Sequence, residues 1–233
     1  MREAIIACDF ANREQTMAFL DRFTGEEPFL KIGMELFYGE GPDIVKEIKG
    51  MGFSVFLDLK LHDIPNTVKK AMKNLAGLGV DMVNVHAAGT KAMMEAAREG
   101  FDAGAAAGRA GKIIAVTQLT STSPEAMREE LMIRGSMEDV VAHYAGNAKS
   151  AGLDGVVCSP LEAGLVKNAC GSEFLAVTPG IRYPEGSADD QKRVTTPQRA
   201  RELQSDYIVV GRPITAAQDP LEAWKRVRKD FLG

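Results

Sequence analysis

The segment Asp58-Leu59-Lys60-Leu61-His62-Asp63 puts carboxylates and an ammonium into one short stretch. In a strand, side chains alternate between faces, so Asp58 and Lys60 project the same way, about 6.6 Å apart along the chain. Lys31, near the end of the preceding β-rich run, can point into the same space, and Asp9 ends the first such run in the same register. The result is an Asp–Lys–Asp–Lys array. Burying charges costs several kcal/mol per ion unless they pair, so stability alone is a poor reason for the arrangement. A salt-bridge network at a rim is the reading without chemistry. The chemical reading is that alternating charges hold each lysine protonated, and a protonated lysine facing a carbanion is a general acid. A carboxylate beside an anionic substrate group repels it, while the ammonium stabilises the negative charge that replaces it. Loss of CO2 from an anion, or enolate chemistry, suits this array. A Schiff base does not, because it needs a neutral lysine.

A second constellation suits a phosphate. Thr178-Pro179-Gly180-Ile181-Arg182 and Val209-Val210-Gly211-Arg212 each join glycine to arginine. Glycine lets backbone amides approach an anion, and arginine supplies a charged fork. The intervening stretch Tyr183–Thr196 is long and polar, with Gly186, Gln191, Lys192 and Arg193. That is the composition of a lid.

These residues need a scaffold, and the chain supplies a repeating one. Strand candidates are Ala4–Asp9, Phe29–Gly33, Ser54–Lys60, Met82–Ala87, Ile113–Thr120, Gly155–Ser159, Phe174–Gly180 and Tyr207–Gly211. Between them, segments such as Thr67–Leu78, Lys91–Ala103, Met137–Ala151 and Pro220–Phe231 carry apolar residues at helical spacing. Alternation of this kind implies right-handed βαβ units and a parallel sheet. Eight units over 233 residues fit a (β/α)8 TIM barrel rather than a doubly wound open sheet. Polar residues on one strand parity (Lys31, Asp58 and Lys60, Asn84 and His86, Gln118 and Thr120) fit a barrel interior near its C-terminal mouth. The glycine and arginine segments then follow strands seven and eight, a common phosphate site of such barrels. No linker or low-complexity tract divides the chain, so residues 1–233 are expected to form one domain. Gly104–Gly111 reads as a helix end and turn. Ala76–Asp81 and Ala151–Gly155 look alike, each a helix end with glycine stops leading into a strand.

Composition narrows the classes. With 45% hydrophobic and 26% charged residues, the chain can bury a core. A net charge of −4 argues against bulk nucleic-acid binding. Cys8, Cys158 and Cys170 form no Cys-x-x-Cys pair and fit buried thiols in a reducing compartment. With only His62, His86 and His143 beside them, a zinc site is not expected. No stretch reads as a signal peptide or membrane span, so a cytoplasmic location is expected.

The run Asp58-Leu59-Lys60-Leu61-His62-Asp63-Ile64-Pro65-Asn66-Thr67 resembles the signature of orotidine 5′-monophosphate decarboxylases of the bacterial type. Ala7-Cys8-Asp9, Lys31-Ile32-Gly33, Thr117-Gln118-Leu119-Thr120-Ser121, Thr178–Arg182 and Val210-Gly211-Arg212 resemble the family's other blocks, in order and over essentially the whole chain. No position expected to be catalytic departs from the pattern. The Asp-x-Lys-x-x-Asp core is shared by a wider group of phosphate-binding barrels, and the Ile-Pro-Asn-Thr extension is narrower. The resemblance implies that Lys60 protonates C6 of the pyrimidine after CO2 leaves, with Asp58 against the departing carboxylate. It implies that Lys31 bridges Asp58 to the ribose, and that Asp9 binds ribose hydroxyl or pyrimidine edge. Thr120 would contact the pyrimidine amide. Pro179, Arg182, Gln191, Gly211 and Arg212 would bind at the phosphate end. Asp63, Ile64 and Thr67 would enter the site of a second subunit. The run from Asp58 to Thr67 is therefore expected to bind substrate throughout, in a homodimer with shared sites and no metal or organic cofactor.

Other residues have plainer readings. His62 reads as a supporting or surface histidine, His86 as a structural one at the rim, and His143 as inert. Met93, Met94, Met127, Met132 and Met137 read as packing and surface residues. Trp224 is expected to pack outside the barrel, and Lys225–Lys229 to favour a helix C-terminus. A metal-dependent 3-keto-L-gulonate 6-phosphate decarboxylase of the same barrel group, passing through an enediolate, is the alternative activity. A silent nucleotide-binding scaffold is the alternative without one.

Overall fold

The computed structural model describes residues 2–106, 111–184 and 194–233. Strands and helices alternate in the order β1 (Glu3–Cys8), α1 (Arg13–Leu20), β2 (Phe29–Gly33), α2 (Met34–Glu40), α3 (Asp43–Gly50), β3 (Ser54–Leu61), α4 (Pro65–Ala76), β4 (Met82–His86), α5 (Thr90–Gly104), β5 (Lys112–Val116), α6 (Pro124–Glu129) and α7 (Met137–Ser150). There follow β6 (Gly155–Val157), α8 (Ala163–Cys170), β7 (Leu175–Thr178), α9 (Pro197–Glu202), β8 (Tyr207–Val210), α10 (Arg212–Thr215) and α11 (Pro220–Leu232). Every strand pairs in parallel with its sequence neighbour, and β8 returns to β1 with Val209 opposite Ile5. The expected TIM barrel is therefore closed. No helix among the described residues is long and apolar enough to cross a membrane.

Period-two alternation builds two concentric layers. Ile5, Ala7, Phe56, Met82, Ile114, Val177, Tyr207 and Val209 fill the barrel interior. The opposite parity, such as Ile6, Leu30, Ile32, Val55, Leu57 and Val83, packs outward against the helices. Both faces of the strands are thus apolar, as a parallel sheet covered by helices requires. Met93, Met94, Met127 and Met137 are buried, and Met132 is exposed. Trp224 is buried on α11, edge-on to Phe23.

Most strands are shorter at their C-terminal ends than the alternation suggests. β5 stops at Val116; the Thr117 N–H makes the last rung to the Val157 carbonyl at 3.1 Å, and Gln118 beyond it stays buried. Burial continues past the last hydrogen-bonded rung, and a hydrophobicity pattern cannot tell the two apart. Ser159 belongs to a capping box with Glu162 rather than to β6. Helix α4 begins at Pro65 instead of Thr67, because proline presets the first helical φ and needs no N–H partner there.

At the base of the barrel, the same clamp occurs on alternate strands. Asp81, just before β4, accepts the Val55 N–H at 2.7 Å and the Lys49 ammonium at 2.6 Å. Asp154, before β6, accepts Ile113 N–H at 2.7 Å and the Arg98 guanidinium at 3.1 Å. Asp206, before β8, accepts Ala176 N–H at 2.7 Å and the Lys167 ammonium at 2.5 Å. Each carboxylate ties two strands and a helix together. The lookalike segments Ala76–Asp81 and Ala151–Gly155 carry the carboxylates of two of these clamps.

Helix α5 approaches α4 closely at Gly100 and Gly104. A Cβ at either would stand 2.1 Å from the carbonyl oxygen of Lys69 or Lys73. This contact sets α4, and with it the segment that links β3 to α4.

Candidate active site

Asp9, Lys31, Asp58 and Lys60 form an unbroken line of alternating charge at the mouth. Lys31 Nζ lies 2.8 Å from Asp9 Oδ1 and 3.5 Å from Asp58 Oδ2, and Lys60 Nζ lies 2.7 Å from Asp58 Oδ1. The inner pair, Lys31 and Asp58, is buried, while Asp9 and Lys60 are more open. Burial alone would discharge the inner pair, but the neighbours win. Desolvation pushes the Asp58 carboxyl up, and the Lys31 and Lys60 ammoniums together hold it below the usual carboxylate range. Desolvation pushes Lys31 down, and Asp58 and Asp9 together hold it above the usual ammonium range. Both therefore carry full charge at neutral pH.

Local backbone makes this possible. The β3–β4 ladder shifts register between Leu57 opposite Val83 and Leu61 opposite Val85. Within that bulge Lys60 has φ +52°, the left-handed region. Such a conformation costs a non-glycine residue about 1–3 kcal/mol and persists only where surroundings enforce it. The buried side chain of Asn84 on β4 accepts the Lys60 N–H at 2.8 Å and donates to Asp58 Oδ1 at 2.6 Å. Gly33 ends β2 where a Cβ would stand 3.1 Å from Asp9 Oδ1 and 3.3 Å from Lys31 Nζ, so glycine leaves room for that ion pair.

The array forms one wall of a cavity of about 550 Å³, within the range of small-ligand sites. Pro179, Gly180 and Arg182 follow β7, four strands round the barrel from β3. Gly211, Arg212 and Thr215 follow β8. Gly180, at φ +83°, adopts a turn that a side chain would strain. Gln118, Leu119, Thr120 and Ser121 close a third side, and Phe56, Val116 and Val209 line the apolar floor. A fixed carboxylate, two ammoniums and a separate cationic rim can hold a molecule with an anion at one end and a reacting acid at the other.

Residues 3–227 match the Orotidine 5'-phosphate decarboxylase / HUMPS family. The chain belongs to this family. It is 56% identical to the orotidine 5'-phosphate decarboxylase of Geobacillus thermodenitrificans (strain NG80-2) over 98% of this chain and 96% of the relative. It is 57% identical to that of Bacillus caldolyticus, over 98% of this chain and 94% of the relative. The crystal structure of orotidine 5'-phosphate decarboxylase from Lactobacillus acidophilus superposes with a TM-score of 0.91 at 44% identity, covering 100% of both chains.

Within this decarboxylase-family barrel, Asp9, Lys31, Asp58, Lys60, Thr120, Pro179, Arg182, Gly211 and Arg212 line one cavity. The other expected residues lie elsewhere. Leu59 is buried in the outer layer, because strand alternation turns it away from Asp58 and Lys60. Leu61 is half-buried against that same layer. His62, Asp63, Ile64, Pro65, Asn66 and Thr67 form an exposed edge outside the cavity of their own chain. There Asp63 accepts the Ile64 N–H at 2.7 Å. Gln191 lies outside the described residues, as do residues 185–193 of the expected lid. At the described start of that stretch, Tyr183 donates its hydroxyl to Asp230 at 2.6 Å and lies under the Arg226 guanidinium.

His86 is half-buried at the rim, with the His62 ring 5.6 Å away. Burial, with the neighbouring His62 ring and the Lys60 ammonium adding to it, pushes His86 below the usual imidazole range. His143 is exposed beside Asn147. Asn84, Gln118, Ser121 and Thr215 also stand at the site, and the sequence assigns none of them a role. Inward parity singles out Asn84 and Gln118 as polar residues of the mouth, without assigning them partners. Thr215 carries no such signal, since α10 alone brings it to the cavity.

Proposed function

We propose that this chain converts orotidine 5′-monophosphate to uridine 5′-monophosphate and CO2, as a carboxy-lyase of pyrimidine biosynthesis. The observation that carries the reading is the unbroken Asp9–Lys31–Asp58–Lys60 line in a barrel of this family. Asp58 is held ionised before substrate arrives, so a substrate carboxylate set against it is destabilised. When the C6–carboxylate bond breaks, CO2 leaves and the electron pair stays on C6. Lys60 then transfers a proton from Nζ to C6 and recovers one from solvent. Lys31 links Asp58 to Asp9 and serves the ribose hydroxyls with it. Thr120 reads the pyrimidine amide, and Pro179, Arg182, Gln191, Gly211 and Arg212 take the phosphate end. Phosphate contacts break no bond, but their binding energy can force the carboxylate against Asp58. Barrier reductions by enzymes run to roughly 8–23 kcal/mol, and preorganised charge is the main source here. The steps call on no metal and no organic cofactor.

We further infer a homodimer in which Asp63, Ile64, Pro65, Asn66 and Thr67 serve the neighbour's cavity. Their exposure outside the cavity of their own chain supports this, as does 66% exposure of Ile64. Residues 1–233 act as one domain, since β8 must pair with β1 to complete the wall that bears Asp9. The setting is the cytoplasm, with no nucleic-acid or membrane partner. The test is an ultraviolet assay with orotidine 5′-monophosphate. Turnover that survives dialysis against chelator is expected. No absorbance change at high enzyme would overturn the reading, and loss on chelation would turn it toward the metal-dependent sugar-phosphate decarboxylase.

A further inference from the structure

We propose that Asn84 is a positioning residue that locks Asp58 and the backbone of Lys60 into one rigid unit, so that the repelling carboxylate stays in place while Lys60 gives up its proton and its charge. The inference rests on the decarboxylase reading and goes beyond it. Asn84 is 1% exposed on β4, and its amide makes two hydrogen bonds, both to the reacting residues of β3. The amide orientation is set chemically, since a backbone N–H needs the oxygen and a carboxylate needs the NH2 group.

Each bond fills a specific gap. Where the β3–β4 ladder skips between Leu57 and Leu61, Lys60 points its N–H at β4, and the Asn84 carbonyl receives it in place of a strand carbonyl. A left-handed residue is held there by this bond. On the other side, Asp58 Oδ1 has two donors, Lys60 Nζ at 2.7 Å and Asn84 Nδ2 at 2.6 Å. Proton transfer to C6 leaves Lys60 Nζ a neutral amine, so the first of these bonds loses its charge assistance. Asn84 then remains as the neutral donor that keeps the carboxylate plane from turning, with Lys31 at 3.5 Å on Oδ2. A second ammonium in its place would pull Asp58 charge away from the substrate, and an apolar residue would leave Oδ1 free to rotate toward solvent.

The variants Asn84→Ala and Asn84→Asp separate the roles. Asn84→Asp keeps an acceptor for the Lys60 N–H but loses the donor to Asp58. Around neutral pH it should lose about 10²-fold in kcat, the scale for one preorganised donor. Affinity for uridine 5′-monophosphate should change little, because the phosphate rim is untouched. The introduced carboxyl would meet Asp58 and Lys60 on β3, with Lys31 and then Asp9 beyond Asp58, and with His86, beside His62, two residues further along β4. Lys31 and Lys60 flank Asp58 and keep it ionised, so a shared proton settles on the introduced carboxyl, whose O–H then replaces the lost N–H. Activity of Asn84→Asp relative to wild type should therefore rise as pH falls from 8 toward 5. Asn84→Ala, losing both bonds, should drop further in kcat with no such pH recovery.

Wild-type kcat in both variants would overturn the proposal. So would losses that track only the folded fraction, with an unchanged pH profile, since those assign Asn84 to stability. Failure of both variants to fold would overturn it in the same way. Wild-type protein is assayed alongside: if it turns over no orotidine 5′-monophosphate, the decarboxylase reading fails, which is a different outcome from a wild-type enzyme indifferent to residue 84.

Discussion

At the base of the barrel, Asp81, Asp154 and Asp206 each accept one backbone N–H and one cation from a helix. At the mouth, Asp58 meets Lys31, Lys60 and Asn84, each through its side chain. The residue types are the same at both ends. A carboxylate tied to a strand N–H cannot move without breaking the ladder, so its charge is spent on architecture. A carboxylate held only by side chains can exchange one partner for a substrate group. The charges at the mouth also line a cavity, whereas those at the base face helices. Partner type and direction, more than residue identity, separate a structural ion pair from a reactive one.

Removing a charge from either end tests that contrast. Lys60→Ala should lower kcat by roughly 10²–10⁴-fold, the general-acid share. It should leave the melting temperature close to wild type, because Asp58 keeps Lys31 and Asn84. A large fall in stability instead would make the mouth as structural as the base. Next in size is a subunit-mixing test. Lys60→Ala and Asp63→Ala proteins should each be nearly dead, and mixed dimers should regain up to one working site. A mixture as inactive as its parents would keep Asp63 out of the neighbour's chemistry.

The base should respond in the opposite way. Asp206→Ala should cost about 3 kcal/mol in urea denaturation. The cost is moderated because Lys167 keeps the Ser172 and Phe174 carbonyls as acceptors, at 2.7 and 2.9 Å. Turnover per folded molecule should be unchanged, and a lost kcat would blur the distinction. The smallest effect concerns His86. Its folded pKa lies below the ordinary 6.5, so its contribution to stability is full above 6.5 and fades as pH falls through the folded value. His86→Gln should flatten the stability curve below pH 6.5, read from denaturant midpoints across that range. Asp58, also depressed, loses its contribution only below 3.8, and Lys31, raised, only above 10.5. Neither can mimic the His86 signal.

Sequence by itself determined the barrel and the residue types at its mouth. Alternating strands and helices of this length leave few other topologies, and strand parity puts Asp58 and Lys60 on one face. Local patterns carry that information because neighbours along the chain set it. What lay beyond them came from contacts between distant segments. Leu59 and the exposed run from His62 to Thr67 sit inside a motif, yet the motif alone does not say which of its members face the cavity. The β3 bulge, the left-handed Lys60 and the double grip of Asn84 required β4 to be laid against β3 in a shifted register. The three basal clamps required each carboxylate to find an N–H on the neighbouring strand. Pairing register is a property of two strands together, so neither strand's pattern encodes it alone, and only the closed barrel decided which charges were bound to backbone and which were left facing the cavity.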